Sequence, residues 1–347
     1  MEINSDSDIR AVAFSGNGEY IVGGDVRYLA SVGVWRMKDG KQVAMMTSPH
    51  KDAVICVAVL KDSRWIAAGT FSGIAVVWDA ETCEEILTHI HEGNAVVALD
   101  FSPDSTRLVT ASECYSTIWD VATRERVLTL NHESWVMAAK YSPQGDRIAT
   151  ATRQSVRVWN SSDARLLVDI PVKVEPSFNT GLLWLNDHLF VVSKNKIMEF
   201  EASTGSAVSE WPVPDTSNTA CVALPKHGEF IAYSTNDTVT FWDISTHTQL
   251  GLIQHPQGIS SLALLPDDRF LAFAANGKVA FKDLRDVPLA SYSTVSIVYY
   301  RIMFYTFYSF GSTYRLITLS LSYHSFTSPM LHSIPGSRTG SQTRKLH

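Results

Sequence analysis

Val76-Val77-Trp78-Asp79-Ala80-Glu81-Thr82 decides how this chain is read, because variants of it return at nearly constant intervals. Gly33-Val34-Trp35-Arg36, Thr117-Ile118-Trp119-Asp120, Arg157-Val158-Trp159-Asn160 and Thr240-Phe241-Trp242-Asp243 repeat its apolar run and polar end. Two worn copies, Met198-Glu199-Phe200-Glu201 and Ala280-Phe281-Lys282-Asp283, fill the gaps. The marker positions 35, 78, 119, 159, 200, 242 and 282 are therefore 43, 41, 40, 41, 42 and 40 residues apart. A period of about 40–45 residues ending in Trp-Asp is the repeat length of a four-stranded propeller blade. The spacing predicts an all-β, seven-bladed propeller of four-stranded antiparallel blades.

Outward from Trp78, residues 53–60 (AVICVAVL) are a continuous apolar run of strand length, as expected of a strand buried on both faces near a ring axis. A turn at 61–63, strands over 65–70 and 74–78, a polar turn at 79–82 and an outer strand over 85–90 complete the unit. In the first unit the strands fall at 11–14, 20–23 and 31–35, and a longer loop at 24–30 accounts for the widest interval. In the third and fourth, Phe101-Ser102-Pro103-Asp104 and Tyr141-Ser142-Pro143-Gln144-Gly145 end the inner strand in a turn whose Pro pre-sets φ. The fifth unit has its inner strand at 181–185 behind a proline-bounded stretch, 171–176. The sixth has strands at 219–224, 230–234 and 239–242, and the seventh at 261–264, 270–274 and 279–281. Only residues 1–4 precede the first inner strand. The expectation is that residues 287–292 complete the seventh blade, or that it stays three-stranded. The chain then reads as a piece of a longer protein whose N-terminal part supplies the sealing strand. The worn fifth and seventh blades are expected to be the least stable.

Hydrophobic residues at 45% and charged residues at 18% describe a globular chain with material for a core. The net charge of -6 is unevenly spread: residues 291–347 hold five basic residues and no acid, so the body is strongly acidic. An acidic body repels phosphate backbones, which argues against nucleic acid as a partner. Cys56, Cys83, Cys114 and Cys221 lie far apart and read as small hydrophobes in a reducing compartment. No apolar run follows Met1, so the expected location is cytoplasmic or nuclear. Beyond Ala290 the repeat stops, and residues 291–347 lack Asp, Glu, Ala, Asn and Trp while holding seven of the 12 tyrosines. Arg301 and Arg315 make 297–321 a poor transmembrane helix, so no membrane is expected. The division expected is a propeller over 1–292 and a non-repeat tail over 293–347, either disordered or translated non-coding sequence.

With its Trp-Asp ends, aromatic-Ser-Pro turns and a His ahead of several inner strands, the chain resembles the WD40-repeat propellers over residues 8–290. His50 and His91 each precede their marker Trp by 28 residues; His132 precedes Trp159, and His255 precedes Lys282, by 27. In that family the His, a Ser or Thr of the second strand, an Asp of the next turn and the Trp form a hydrogen-bonded lock. Here the turns read Phe71-Ser72-Gly73, Glu113-Cys114-Tyr115 and Arg153-Gln154-Ser155, without the Asp. The resemblance thus implies a partial lock, with stability leaning on apolar packing.

Trp35, Trp78, Trp119, Trp159, Phe200, Trp242, His50, His91, His132 and His255 are read as structural repeat markers. Asp79, Asp120 and Asp243 are read as binding nearby backbone amides. His89 and His91 could share one strand face for a metal, but no third ligand is in view. No phosphate-binding loop, nucleophile elbow or zinc motif is present, so no catalytic, cofactor or metal residue is expected. Function falls to the loops around the channel mouth. The candidate partner-binding residues are Tyr28, Phe71, Tyr115, Trp135, Arg153, Phe178, Lys194 and Lys196. The expected role is a non-catalytic platform for proteins or peptides. The alternatives are the ligand-sensing repeat portion of a larger NTPase-type (NACHT-like) signalling protein and, least favoured, a propeller enzyme with a channel cofactor.

Overall fold

The structure, a computed structural model, describes residues 2–3, 8–26, 31–50, 52–90, 94–174, 181–193, 195–213, 221–225, 228–235, 237–256, 258–265, 268–275 and 277–287. Among them the strands form seven four-stranded antiparallel sheets. Blades 1 to 6 span residues 9–47, 54–90, 96–131, 136–171, 181–212 and 222–254, and in each the strands pair in sequence order. Several predicted strands match closely: Trp65–Thr70, Gly181–Leu185 and Phe230–Ser234. The inner strand of blade 6 is shorter than the sequence suggests, Val222–Ala223, with residues 214–220 outside the described set.

Burial follows position within a blade. The second and third strands are almost wholly buried, as in Trp65–Thr70 and Ile74–Asp79. The outer strands of blades 1, 3, 4 and 5 face solvent but bury their fifth residue, Met46, Leu130, Ile170 and Trp211. One buried position in an otherwise exposed strand is enough to fix register, since a one-residue slip would expose it.

The core is seven seams between neighbouring blades rather than one centre. Val22, Val32 and Met46 of blade 1 pack with Val54, Ile66 and Trp78 of blade 2. The last seam joins Leu265, Ala272, Val279 and Phe281 of blade 7 to Ile9, Phe14, Ile21 and Trp35 of blade 1, closing the ring.

Blade 7 corrects one expectation. Its first three strands, Ile259–Leu264, Phe270–Ala275 and Lys278–Asp283, are joined by Glu2–Ile3 from the other end of the chain. Glu2 lies opposite Ala280 and Ile3 opposite Val279, and Ile9 bridges Gly277 below them. Blade 7 is therefore neither three-stranded nor finished by residues 287–292. After Asp283 the chain enters a short 3-10 helix, Leu284–Asp286, whose first turn is capped by the Asp283 carboxylate accepting from Arg285 N–H. Val287 is then buried in the seam with blade 6, which leaves the strand edge to the N-terminal residues; 288–292 lie outside the described set. Two ladder positions contribute about 1 kcal/mol each, whereas every large apolar side chain fully buried contributes about 1.5–3 kcal/mol. The seam, more than the strand pair, closes the ring.

Candidate interaction face

The marker residues are embedded. Trp35, Trp78, Trp159 and Phe200 are buried, Trp119 and Trp242 half-buried. Trp119 Nε1 and Trp159 Nε1 donate to Thr110 and Thr150 of the second strand, at 2.9 and 2.8 Å. In blade 2 the equivalent position is Ala68, and Trp78 Nε1 is left without a partner. Asp79 Oδ1 accepts from the amides of Glu81 and Thr82, and Asp243 Oδ1 from those of Ser245 and Thr246. Led by the bond from Thr82, these contacts hold the Asp79 carboxyl below its ordinary range, as turn-closing acceptors do.

The histidines divide. His132 meets Trp159 edge-on at 5.2 Å, and neither ring nitrogen has a hydrogen-bond partner. Burial, helped by nearby Arg157, pulls its pKa down to about 4 against the small opposing effect of Asp169. His50 is half-buried and His91 lies outside the described residues. The ring that stacks on Trp119, at 3.4 Å between centroids, belongs to His89. It occupies the fifth place of its outer strand, where blades 1, 3, 4, 5 and 6 put an apolar residue. Burial lowers its pKa to about 4 as well, and the ring lies flat against the indole. Among the described residues no group of three or more His, Cys, Asp or Glu could hold a metal ion.

Of the proposed contact residues, Phe71 is 60% exposed and Trp135 55% exposed. Arg153 is exposed and forms no ion pair among the described residues. Tyr115 is half-buried as the first residue of the strand Tyr115–Asp120, opposite Asn131. Lys196 is tied to Glu210 at 2.9 Å, a cross-strand ion pair of blade 5. Tyr28, Phe178 and Lys194 lie outside the described residues.

Two blades present the exposed set from one end of their strands. Phe71 sits in the turn after the second strand of blade 2. Val136 pairs with Thr152, so Trp135 and Arg153 flank the same strand end of blade 4. The loops are stitched to one another: Val136 N–H donates to Glu113 O and His132 N–H to Cys114 O, at 2.6 and 2.8 Å. Phe71 N–H donates to Ala53 O at 3.0 Å. Asp52, which motif reasoning passed over, is buried before the inner strand and accepts Ser72 N–H at 2.7 Å. Burial raises its pKa, but the bonds from Ser72, Thr70 and Ala53 outweigh that and keep it ionised. Asp52 thus ties the loop before the inner strand to the turn after the second strand. Rigid turns carrying exposed aromatics are the features of a binding rim.

The channel, a cavity of about 350 Å3 lined by all seven inner strands, is bounded mostly by residues with apolar side chains, although polar atoms form the larger part of its surface. Its charged side chains are Asp100 and Lys140, paired at 2.9 Å, and Asp100 also accepts Tyr141 N–H. Burial pushes the Cys56 thiol up to about 12, and its S–H points at Val96 O of the next blade, so it is not a nucleophile at neutral pH.

Comparison with known proteins agrees with this geometry. The family model "WD domain, G-beta repeat" matches residues 40–79, 82–120 and 124–160, which end at the Asp or Asn of blades 2, 3 and 4. Apoptotic protease-activating factor 1 of Rattus norvegicus is 25% identical over 211 residues, covering 59% of this chain and 16% of that protein. Transcriptional corepressor LEUNIG_HOMOLOG of Arabidopsis thaliana is 23% identical, covering 56% of this chain and 25% of the relative. Serine-threonine kinase receptor-associated protein of Gallus gallus is 26% identical and covers 49% of each. The chain thus spans less than half the length of each of these relatives.

Proposed function

We propose that this seven-bladed chain of WD40 repeats is a non-catalytic platform that holds protein or peptide partners on the face carrying Phe71, Trp135 and Arg153. The observation that carries the reading is two large aromatics more than half exposed on turns fixed by backbone hydrogen bonds. Exposed aromatic and Arg side chains on a rigid rim are the usual anchors of an interface. A corepressor and a receptor-associated protein among the relatives support the same role. The partners act in the cytoplasm or nucleus, and the platform is residues 1–292, with 293–347 outside it. Trp135→Ala combined with Phe71→Ala should reduce partner capture at least about tenfold. The melting temperature should stay within about 2 °C of the parent, because both side chains face solvent. An unchanged set of captured proteins from the folded double variant would sink the proposal.

A second reading, the ligand-sensing repeats of a larger NTPase-type signalling protein, draws on one observation. The match to apoptotic protease-activating factor 1 occupies 16% of that relative. An upstream stop codon next to the codon for Met1 in full-length transcripts would remove it.

A further inference from the structure

The outer strands of blades 1 to 6 are six residues long, and that of blade 7 is two. Antiparallel to Lys278–Asp283, Glu2–Ile3 covers Ala280 and Val279 alone. Among the described residues no strand lies along the outer edge of Phe281, Lys282 and Asp283. An open edge of this kind is a template for another strand. The same place in the structure is a groove of about 500 Å3, its apolar walls made by Leu265, Phe270 and Phe281. Lys38, Lys282, Asp283 and Asp286 line it too. Asp283 is matched by Arg285 at 2.6 Å and Arg269 at 3.3 Å, and the hydrogen bond from Arg285 holds its pKa well below the carboxylate range. Lys38 and Lys282 have no ion pair among the described residues, and with Arg269 and Arg285 they set four cations against the carboxylates of Asp283 and Asp286. It lies at the opposite end of the strands from Phe71 and Trp135.

Register says which position would stand there. Opposite the marker, blades 1 to 6 place Gln42, Glu85, Arg126, Leu166, Ala207 and Gln249, and of these Glu85 in blade 2 is the one whose charge complements a lysine. A strand completing blade 7 in the same register would put its equivalent opposite Lys282.

We propose that the outer place of blade 7 is a docking site for an extended segment of a partner protein. That segment adds antiparallel to Lys278–Asp283 in the place of Glu2–Ile3, with apolar side chains against Phe270 and Phe281 and a carboxylate beside Lys282. Main-chain pairing along the edge gives affinity, and the Lys282 contact gives selectivity for acidic strands. The strand it replaces holds two ladder positions, so the exchange gains more pairing than it loses.

The test uses the full chain and a fluorescein-labelled synthetic peptide with the sequence of residues 84–90, Glu-Glu-Ile-Leu-Thr-His-Ile. Fluorescence anisotropy should show saturable binding, and hydrogen exchange should slow at the amides of 281–283. Lys282→Glu should weaken binding at least about fivefold, and the same peptide with Glu85→Lys should recover it on that variant. Trp135→Ala with Phe71→Ala should leave the peptide affinity unchanged, which separates this site from the face proposed above. The absence of binding at millimolar peptide, or affinity indifferent to Lys282→Glu, would overturn the proposal. So would a doubled mass by light scattering that Lys282→Glu abolishes, since the edge would then serve a second copy of this chain.

Discussion

Blades 4 and 7 solve one packing problem differently. In blade 4, Trp159 is buried, its Nε1 donates to Thr150, and His132 meets it edge-on at 5.2 Å and 76°. In blade 7 the marker is Lys282, and the residue in the place of Thr150 is Phe273, as the ladder pairs Ile148 with Trp159 and Leu271 with Lys282 show. His255 meets Phe273 at 5.1 Å and 77°. The histidine and its edge-on contact survive, and the aromatic ring has moved from the third strand to the second. What is lost is the bulk on the third strand and, with a two-residue outer strand, the cover over it. The lock tolerates relocation of its ring; the outer half of the blade does not refill.

The largest test of that contrast is Trp159→Ala, which removes a buried indole and its hydrogen bond and should cost about 3–5 kcal/mol by urea denaturation. Lys282→Ala should cost far less, and equal losses would show that the two positions are equivalent after all. Next is acid. An unfolded imidazole titrates near 6.5 and that of His132 near 4, so across this window the unfolded chain binds the extra proton and stability falls with pH. The full loss is about 3 kcal/mol. Melting temperatures between pH 7 and 4 should fall less steeply in His132→Phe, the remaining slope including that of His89.

A smaller effect sharpens the relocation itself. Lys282→Trp alone should destabilise by about 1–3 kcal/mol, because Phe273 already fills the space. Adding Phe273→Thr should recover that loss, and additive costs would refute the idea of one ring with two alternative seats. Smallest is removal of residues 1–3, about 1–2 kcal/mol for two ladder positions, read as faster amide exchange in 278–283.

Most of the architecture could be read from the chain. The marker spacing gave seven blades, and the strand runs around Trp78 fell within a residue or two of their places because period-2 and turn signals were strong there. Glu2–Ile3 could not be read, since two residues carry no period. His91, the residue found by counting back from Trp119, lies outside the described residues, and the ring stacked on Trp119 is that of His89. Its signal was positional: the fifth residue of an outer strand, where Met46, Leu130 and Ile170 are buried. Asp100 and Lys140 are one period apart and would have emerged from overlaying the repeats. Turn chemistry located the loops of the candidate face, but exposure depends on the neighbours. Phe71 is free of them, and Tyr115 is half covered because its strand begins one residue earlier than the turn suggests.

Joining residue 3 to residue 279 sets an order of assembly. During synthesis Ile3 emerges first and waits for its partner while the rest of the ring is made, a delay on the order of tens of seconds at ordinary elongation rates. Blades 1 to 6 are built from neighbours in sequence and can form as they appear. Until Lys278–Asp283 arrives, the flank of blade 1 formed by Ile9, Phe14, Ile21 and Trp35 stands uncovered. The nascent chain therefore presents its most aggregation-prone surface early and for longest, and ring closure is the last step of folding.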